Sequence, residues 1–413
     1  MQILVLLCVF FLAACTETPL RQEDQAAKNQ EQVRLEFFSP KVETVEIFNQ
    51  LIHEFETEHP NIHVEQTTIP YGMDVLKRRI ARGQAPDIFI TYPLERDYVI
   101  RAEKGYLLDL THEGFIQEIN PTVQNRYLVH NSMYGVALTQ NAVGVLYNKD
   151  IFEQLQIKIP QTWDEFIRVL EIIRAAGFTP ILMPNKDEDS TSVLNLNFVA
   201  NEFDSHYWDQ VNQGTASLSR DARWLDVAGK MLKVVSFAQE DSFEADTDQV
   251  NKRFAHGGGA MYVTGTWMLP VIEKWNPQLK YGIFPFPGSN DPQKNQVLGG
   301  VDIGLAISSD TRHPEAAKEF LRFLVKKENA QRLSDYEGSI SAVQGVTVKK
   351  AVVWPLAERV QKGKSVNWPN HYWIGGTRAE RDYRIYSQQF FMDKDVEAYL
   401  HRLDQMFSFY REE

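Results

Sequence analysis

The stretch VRLEFFSPKVETVEIFNQLIHEFETEHPNIHVEQTTIPYGMDVLKRRIARGQAPDIFIT, residues 33–91, decides the fold. VRLEFF (33–38) is short, aromatic and β-branched, the pattern of a strand. Val45, Phe48, Leu51, Ile52 and Phe55 then recur at helical spacing along one face, and His59-Pro60-Asn61 breaks that helix. IHVEQTTI (62–69) reads as a second strand, MDVLKRRIARG (73–83) as a second helix closed by Gly83, and PDIFIT (86–91) as a third strand. The order β-α-β-α-β is the start of a doubly wound α/β sheet. Ligands of such sheets sit beyond the carboxyl ends of the strands, which points at Ser39-Pro40, Tyr71 and Thr91-Tyr92.

The same alternation continues outward. YGVALT (134–139) and VGVLYN (143–148) are strands flanking Gln140-Asn141. In PQTWDEFIRVLEIIRAAG (160–177), Thr162 and Glu165 form a capping box and Gly177 ends the helix. RHPEAAKEFLRFL (312–324) places Pro314 in a first turn and Ala317, Phe320, Leu321 and Leu324 on one face. GGAMYVTG (258–265), YGIFPFP (281–287) and IGLAISS (303–309) read as strands between them. No repeat of solenoid period interrupts the pattern. The residues from Val33 to Glu413 exceed what one core usually serves, so two lobes are expected.

The other end of the chain is an address. Ile3 to Ala14 is an apolar run of about a dozen residues, too short for the ~20 that a spanning helix needs and suited to a secretory signal. Leu12, Ala13 and Ala14 precede Cys15, and this resembles the lipobox of bacterial lipoproteins, which implies a signal peptide over 1–14 and lipidation of Cys15. No Lys or Arg stands before the run, which points to a start further upstream. Residues 15–32 are polar and without aromatic rings, the composition of a flexible tether.

Composition removes several function classes. A net charge of −12 argues against nucleic acid, whose phosphates call for clustered Lys and Arg. The two cysteines, Cys8 and Cys15, both lie in the first fifteen residues, so neither disulfides nor a Cys-ligated metal site is expected beyond them. His59 and His63 share helical spacing, but Pro60 and Asn61 between them make a turn, and no metal or other cofactor is expected. GxSxG and HExxH are absent, and no carboxylate pair stands out as catalytic. The triple glycine of FAHGGGAMYVTG lacks a following GK[ST] and reads as a turn into a strand. The better signal is aromatic. Trp208 in SHYWDQ, Trp267 in TGTWMLP, Trp368 in NWPN and Trp373 in HYWIGG stand in polar or turn-rich contexts, where a ring can stack on the apolar face of a pyranose.

Four stretches taken together resemble one family, the extracellular solute-binding proteins of bacterial carbohydrate ABC transporters: RRIARGQAPDIFI, YGVALTQNAVGVLYNKDIFEQLQIKIPQTWDEF, FAHGGGAMYVTGTWMLPVI and GGVDIGLAISSDTRHPEAAKEFLRFL. The resemblance implies a periplasmic-binding-protein-like α/β fold of two lobes, residues 33–139 with 304–340 and 140–303 with 341–413, joined by hinge strands. Crossings are expected near Thr139 to Ala142, Gly300 to Gly304 and Ser339 to Val343. It further implies a sugar between the lobes, held by Ser39, Tyr71, Thr91, Tyr92, Asn141, Trp208, Trp267, Asp302 and Trp373. The chain would then be a non-enzymatic monomeric receptor, lipid-anchored on the outer face of the cell membrane, that passes a mono- or oligosaccharide to permease subunits. SPKVE after the first strand and LNLNFVANEFDSHYW depart from the family pattern. Rival readings are a receptor for a polyamine, ferric ion or glycerol phosphate ester, a secreted carbohydrate-active hydrolase, and a structural or adhesive lipoprotein.

Overall fold

The structure, a computed structural model, describes residues 32–412 apart from Tyr71. The expected signal peptide, Cys15 and all but the last residue of the tether lie outside the described residues, as does Tyr71. The first lobe opens with β1 (Val33–Ser39), α1 (Val45–Glu58), β2 (Ile62–Thr68), α2 (Met73–Ala81), β3 (Ile88–Ile90) and α3 (Arg96–Glu103). β4 (Val136–Gln140) follows. The second lobe contributes β5 (Val143–Asn148), α4 (Trp163–Ala175), β6 (Ile181–Leu182), α5 (Glu188–Glu202), α6 (Ser205–Gln213), β7 (Met261–Gly265), β8 (Tyr281–Phe284) and β9 (Val297–Leu298). The chain then returns through β10 (Val301–Ile307), α7 (Pro314–Leu324), α8 (Lys327–Glu337) and β11 (Ile340–Ser341) to the first lobe. It ends in the second with β12 (Ser365–Val366), α9 (Thr377–Asp393) and α10 (Val396–Glu412).

A six-stranded sheet in the order β11-β4-β10-β3-β1-β2 carries the first lobe. β1 pairs in parallel with β2, Val33 opposite Ile62, and with β3, Phe37 opposite Ile88. This is the doubly wound start that the opening stretch predicts. Ile47, Phe48, Leu51, Ile52 and Phe55 of α1 are buried, while Val45, expected on that face, is only half-buried. β10 comes back antiparallel to both β3 and β4. A four-stranded sheet, β8-β5-β7-β6, carries the second lobe, and β9 and β12 form a separate parallel pair. Each lobe has its own apolar core, and the chain is a two-lobed α/β protein. Among the described residues no helix is long and apolar enough to cross a membrane.

Two passages between the sheets are tight. Only Asn141 and Ala142 separate β4 from β5, and only Gly299 and Gly300 separate β9 from β10. Val301, Asp302 and Ile303 therefore stand in the sheet of the first lobe. Gly304 has a packing reason to be glycine. A Cβ there would lie 1.6 Å from the Tyr127 hydroxyl and 2.9 Å from the Thr91 carbonyl. That hydroxyl donates to the same carbonyl at 2.8 Å, so it has no free direction in which to retreat. Gly304→Ala is expected to lower the unfolding free energy by at least about 2 kcal/mol, read from denaturation midpoints. An unchanged midpoint would mean that Tyr127 swings aside at no cost.

Candidate functional site

The first sheet delivers its site residues at the carboxyl ends of β1 and β3. Ser39 is fully buried and its hydroxyl accepts the Lys41 backbone N–H at 3.1 Å, which turns the chain so that Lys41 points inward. Thr91 is also fully buried. Its carbonyl accepts from Tyr127 and its hydroxyl from Arg101 at 3.4 Å, so Thr91 supports the loop. Leu94 takes a φ of 68°, a left-handed conformation unusual for leucine, and this kinks the chain between Tyr92 and Glu95.

Lys41 is buried, and its ammonium is 3.1 Å from each carboxylate oxygen of Asp302 and 2.7 Å from Glu43. Asp302 Oδ1 also accepts the Asn141 side-chain N–H at 3.0 Å. The other end of that amide, Asn141 Oδ1, accepts the Gly300 N–H at 3.0 Å and the Trp368 indole N–H at 3.3 Å. Backbone pairing explains how Trp368 arrives here. β9 pairs with β12, Gly299 N–H donates to the Val366 carbonyl, and Trp368 follows two residues later. Trp267 arrives from the other side, since Thr266 N–H donates to the Ala142 carbonyl beside Asn141. The two half-buried indoles face each other with ring centres 6.0 Å apart and planes tilted by 48°.

Burial opposes the charge on Lys41 but is outweighed by Asp302, Glu43 and Glu337, which hold its pKa well above the usual lysine value. Glu337, at the end of α8, is fully buried, and burial together with Asp302 and Glu43 pushes its carboxyl up to about 8. Tyr92, beside Lys41, is raised mainly by burial. A second polar contact joins the lobes nearby. Asp97 Oδ2 accepts the Thr377 N–H at 3.1 Å and its hydroxyl at 2.7 Å, while Lys77 holds Oδ1 at 2.8 Å. His371 Nε2 lies 4.0 Å from Glu95. Burial pushes Glu95 up to about 7, against Arg101 and aided by Asp97, and burial and Arg126 push His371 down to about 3.

The residues expected at the site thus separate. Asn141 and Asp302 are bonded to each other, Tyr92 stands beside Lys41, and Trp267 adjoins the Ala142 passage. Trp208 and Trp373 require correction. They are 0% and 1% exposed, lie 5.5 Å apart in the second lobe's core, and both pack against Phe407. The polar neighbours of Trp208 occupy the outer face of α6 while its ring points inward, and Trp373 is buried together with the polar Asn370 and His371 that precede it. Lys41, Glu43 and Glu337 escape the sequence reading, and Trp368 is noticed there as a loop aromatic without being placed at the site. Lys41 had a signal, since it directly follows the Ser39-Pro40 strand end. Among the described residues no cluster of three or more His, Cys, Asp or Glu could hold a metal.

The comparisons with known proteins agree in direction. The sequence profile described as bacterial extracellular solute-binding protein matches residues 41–331. The multiple sugar-binding protein of Streptococcus mutans is 28% identical over 408 residues, 96% of this chain and 94% of its own length. The melibiose/raffinose/stachyose-binding protein MelE of Bacillus subtilis is 26% identical over 322 residues, 74% of this chain and 72% of its own. The solved structure of RafE in complex with raffinose superposes with a TM-score of 0.83 at 26% identity, over 92% of this chain and 100% of that one. The apo form of RafE from Streptococcus pneumoniae gives 0.76 at 26% identity, over 92% and 98%.

Glu337 provides a test of the site's electrostatics. A carboxyl raised on folding contributes stability that is fully present below its unfolded value and is lost as pH rises through its folded value. For Glu337 that window runs from about 4.5 to about 8. Glu337→Gln, which keeps the shape without the charge, is expected to flatten the loss. Relative to the unaltered protein it should gain more than about 1 kcal/mol between the two ends of the window, as read by thermal unfolding at each. Parallel pH profiles for the two proteins would refute a raised Glu337.

Proposed function

The chain belongs to the bacterial extracellular solute-binding proteins, and from that membership we propose that it is the receptor of an ABC importer, closing its lobes on a short oligosaccharide outside the membrane and passing it to a permease. The observation that carries the reading is the Trp267–Trp368 pair beside the Asn141–Asp302 bond at the passage between the lobes. Indole faces take the apolar side of a sugar ring, and carboxylate and amide acceptors take its hydroxyls with charge-assisted bonds. Lys41 faces two carboxylates, Asp302 and Glu43, so the site is rich in acceptors and suits a neutral polyol better than a phosphate ester. Raffinose and stachyose are the first ligands to try, because relatives bind them by name. The higher TM-score with the raffinose complex than with the apo form supports an arrangement of the ligand-bound type.

Within this reading, Tyr92, Asn141, Trp267, Trp368 and Asp302 line the sugar site, with Ser39 and Thr91 supporting its loops and Tyr71 as a further contact. The hinge is formed by Asn141-Ala142, Gly299-Gly300 and the segment around Ser339 to Val343. Residues 1–14 serve as the signal peptide, Cys15 carries the lipid, and the tether through residue 32 lets a monomeric receptor reach its permease.

Calorimetry of the purified protein with raffinose and stachyose tests the function. Saturable binding without product is expected, and a ligand at a hundred times its dissociation constant should stabilise by about 2.7 kcal/mol. Trp267→Ala and Trp368→Ala should each weaken binding by at least roughly tenfold, about 1.4 kcal/mol. Turnover of either sugar, or binding indifferent to both substitutions, would overturn the assignment. For the anchor, Cys15→Ser is expected to abolish incorporation of labelled palmitate and release the protein from the membrane fraction. Retention of label by that variant would place the lipid elsewhere.

A further inference from the structure

The Asn141 side chain joins two kinds of partner that cannot be exchanged. Its Nδ2 donates to Asp302 and its Oδ1 accepts from two N–H groups, those of Gly300 and the Trp368 indole. Turning the amide over would set its NH2 against both N–H donors and its oxygen against a carboxylate. The carboxylate of Asp302 at one end and the two N–H donors at the other together fix how Asn141 sits, and that position gives the Trp368 indole its acceptor. Asp302 is in turn gripped by Lys41, which lies 3.1 Å from both oxygens.

We propose that Lys41 is a positioning residue for ligand capture, acting through Asp302 and Asn141 to hold the Trp368 indole in the plane where it faces Trp267. The inference rests on the sugar-site reading of those two indoles. Lys41 needs no contact with the ligand for this role; its three carboxylate neighbours are Asp302 from β10, Glu43 from the turn after β1, and Glu337 from the end of α8, with Tyr92 from the loop after β3. Removing the ammonium leaves Asp302 buried beside Glu337 and Glu43 without its cation. A buried carboxylate in that position relieves itself by binding a proton. With Asp302 protonated, the Nδ2 end of Asn141 loses its charged acceptor and the amide is held only through Oδ1, so the acceptor of the indole N–H is no longer fixed at both ends.

The test compares the unaltered protein with Lys41→Met and Lys41→Arg. The indole N–H signal of Trp368, identified by its loss in Trp368→Phe, is followed by nitrogen–proton NMR without ligand. Raffinose affinity is measured by calorimetry across pH. Lys41→Met is expected to move the Trp368 signal, and its raffinose affinity should fall by roughly tenfold over about two pH units as the carboxylates left without their cation take up a proton, more steeply than in the unaltered protein. Lys41→Arg should restore both. A Trp368 signal unmoved in folded Lys41→Met overturns the proposal, as does a raffinose affinity that falls equally at every pH. Should Lys41→Met fail to fold, the double variant Lys41→Met with Asp302→Asn leaves neither member of the pair charged. Its Trp368 signal should again move, because no cation pins the acceptor, and an unmoved signal there is also fatal. If the unaltered protein gives no heat with raffinose, that sugar assignment fails, and the ligand-free NMR arm still decides the role of Lys41.

Discussion

A lysine buried in the first lobe beside the passage to the second stays charged only while carboxylates face it, and the arrangement of the chain follows from supplying them. Lys41 comes from the turn after β1, Asp302 from the strand that returns to the first lobe, and Glu337 from the helix that leads into the last strand of that sheet. Segments far apart in sequence must meet at one point for the charge to be tolerated. That point lies beside Asn141 and Gly300, where the chain passes between sheets. The ion pair is thus better understood as a registration device than as a source of stability: it fixes where the passages sit relative to the first lobe's sheet.

From this node the polar order spreads into the aromatic pair. Asn141 translates the position of a carboxylate into an acceptor for an indole, and the Val297–Leu298 pairing with Ser365–Val366 brings that indole within reach. Trp267 is set independently by the strand that ends at Gly265. One wall of the site therefore hangs on hydrogen bonds with directional preferences, and the other on a sheet register. Such a division permits two rings to sit together without either being buried in a core.

The fold was legible because its determinants are periodic. Alternation, helical faces and breakers in residues 33–91 are local, and the parallel pairing of β1 with β2 and β3 follows from them. The site was legible only in part. Asn141 and Asp302 were named through the resemblance of the stretches that carry them, and Trp267 through that resemblance and its turn-rich context. Trp208 and Trp373 misled because a polar sequence context does not report where a ring points, which is set by packing against Phe407 and Tyr383. Glu337 was invisible for a related reason, and Lys41 was marked only by its place after the Ser39-Pro40 strand end. A buried charge carries no local signature, since what makes it possible is a partner that only the tertiary structure supplies.

The contacts that close the lobes explain how such a site can both hold and release. Asp97 meets Thr377 through hydrogen bonds, and Arg381 lies 3.8 Å from Asp74 at an exposed edge. Polar contacts of this kind exchange water for protein and are worth only about 0.5–1.5 kcal/mol each. Against them stands the burial of Glu95 and His371, which pushes the one up to about 7 and the other down to about 3 and so disfavours their charged forms. An apolar seam of the same extent would lock shut. On the proposed function, weak polar attraction set against desolvation leaves closure to a ligand that touches both lobes, a difference of about a few kcal/mol.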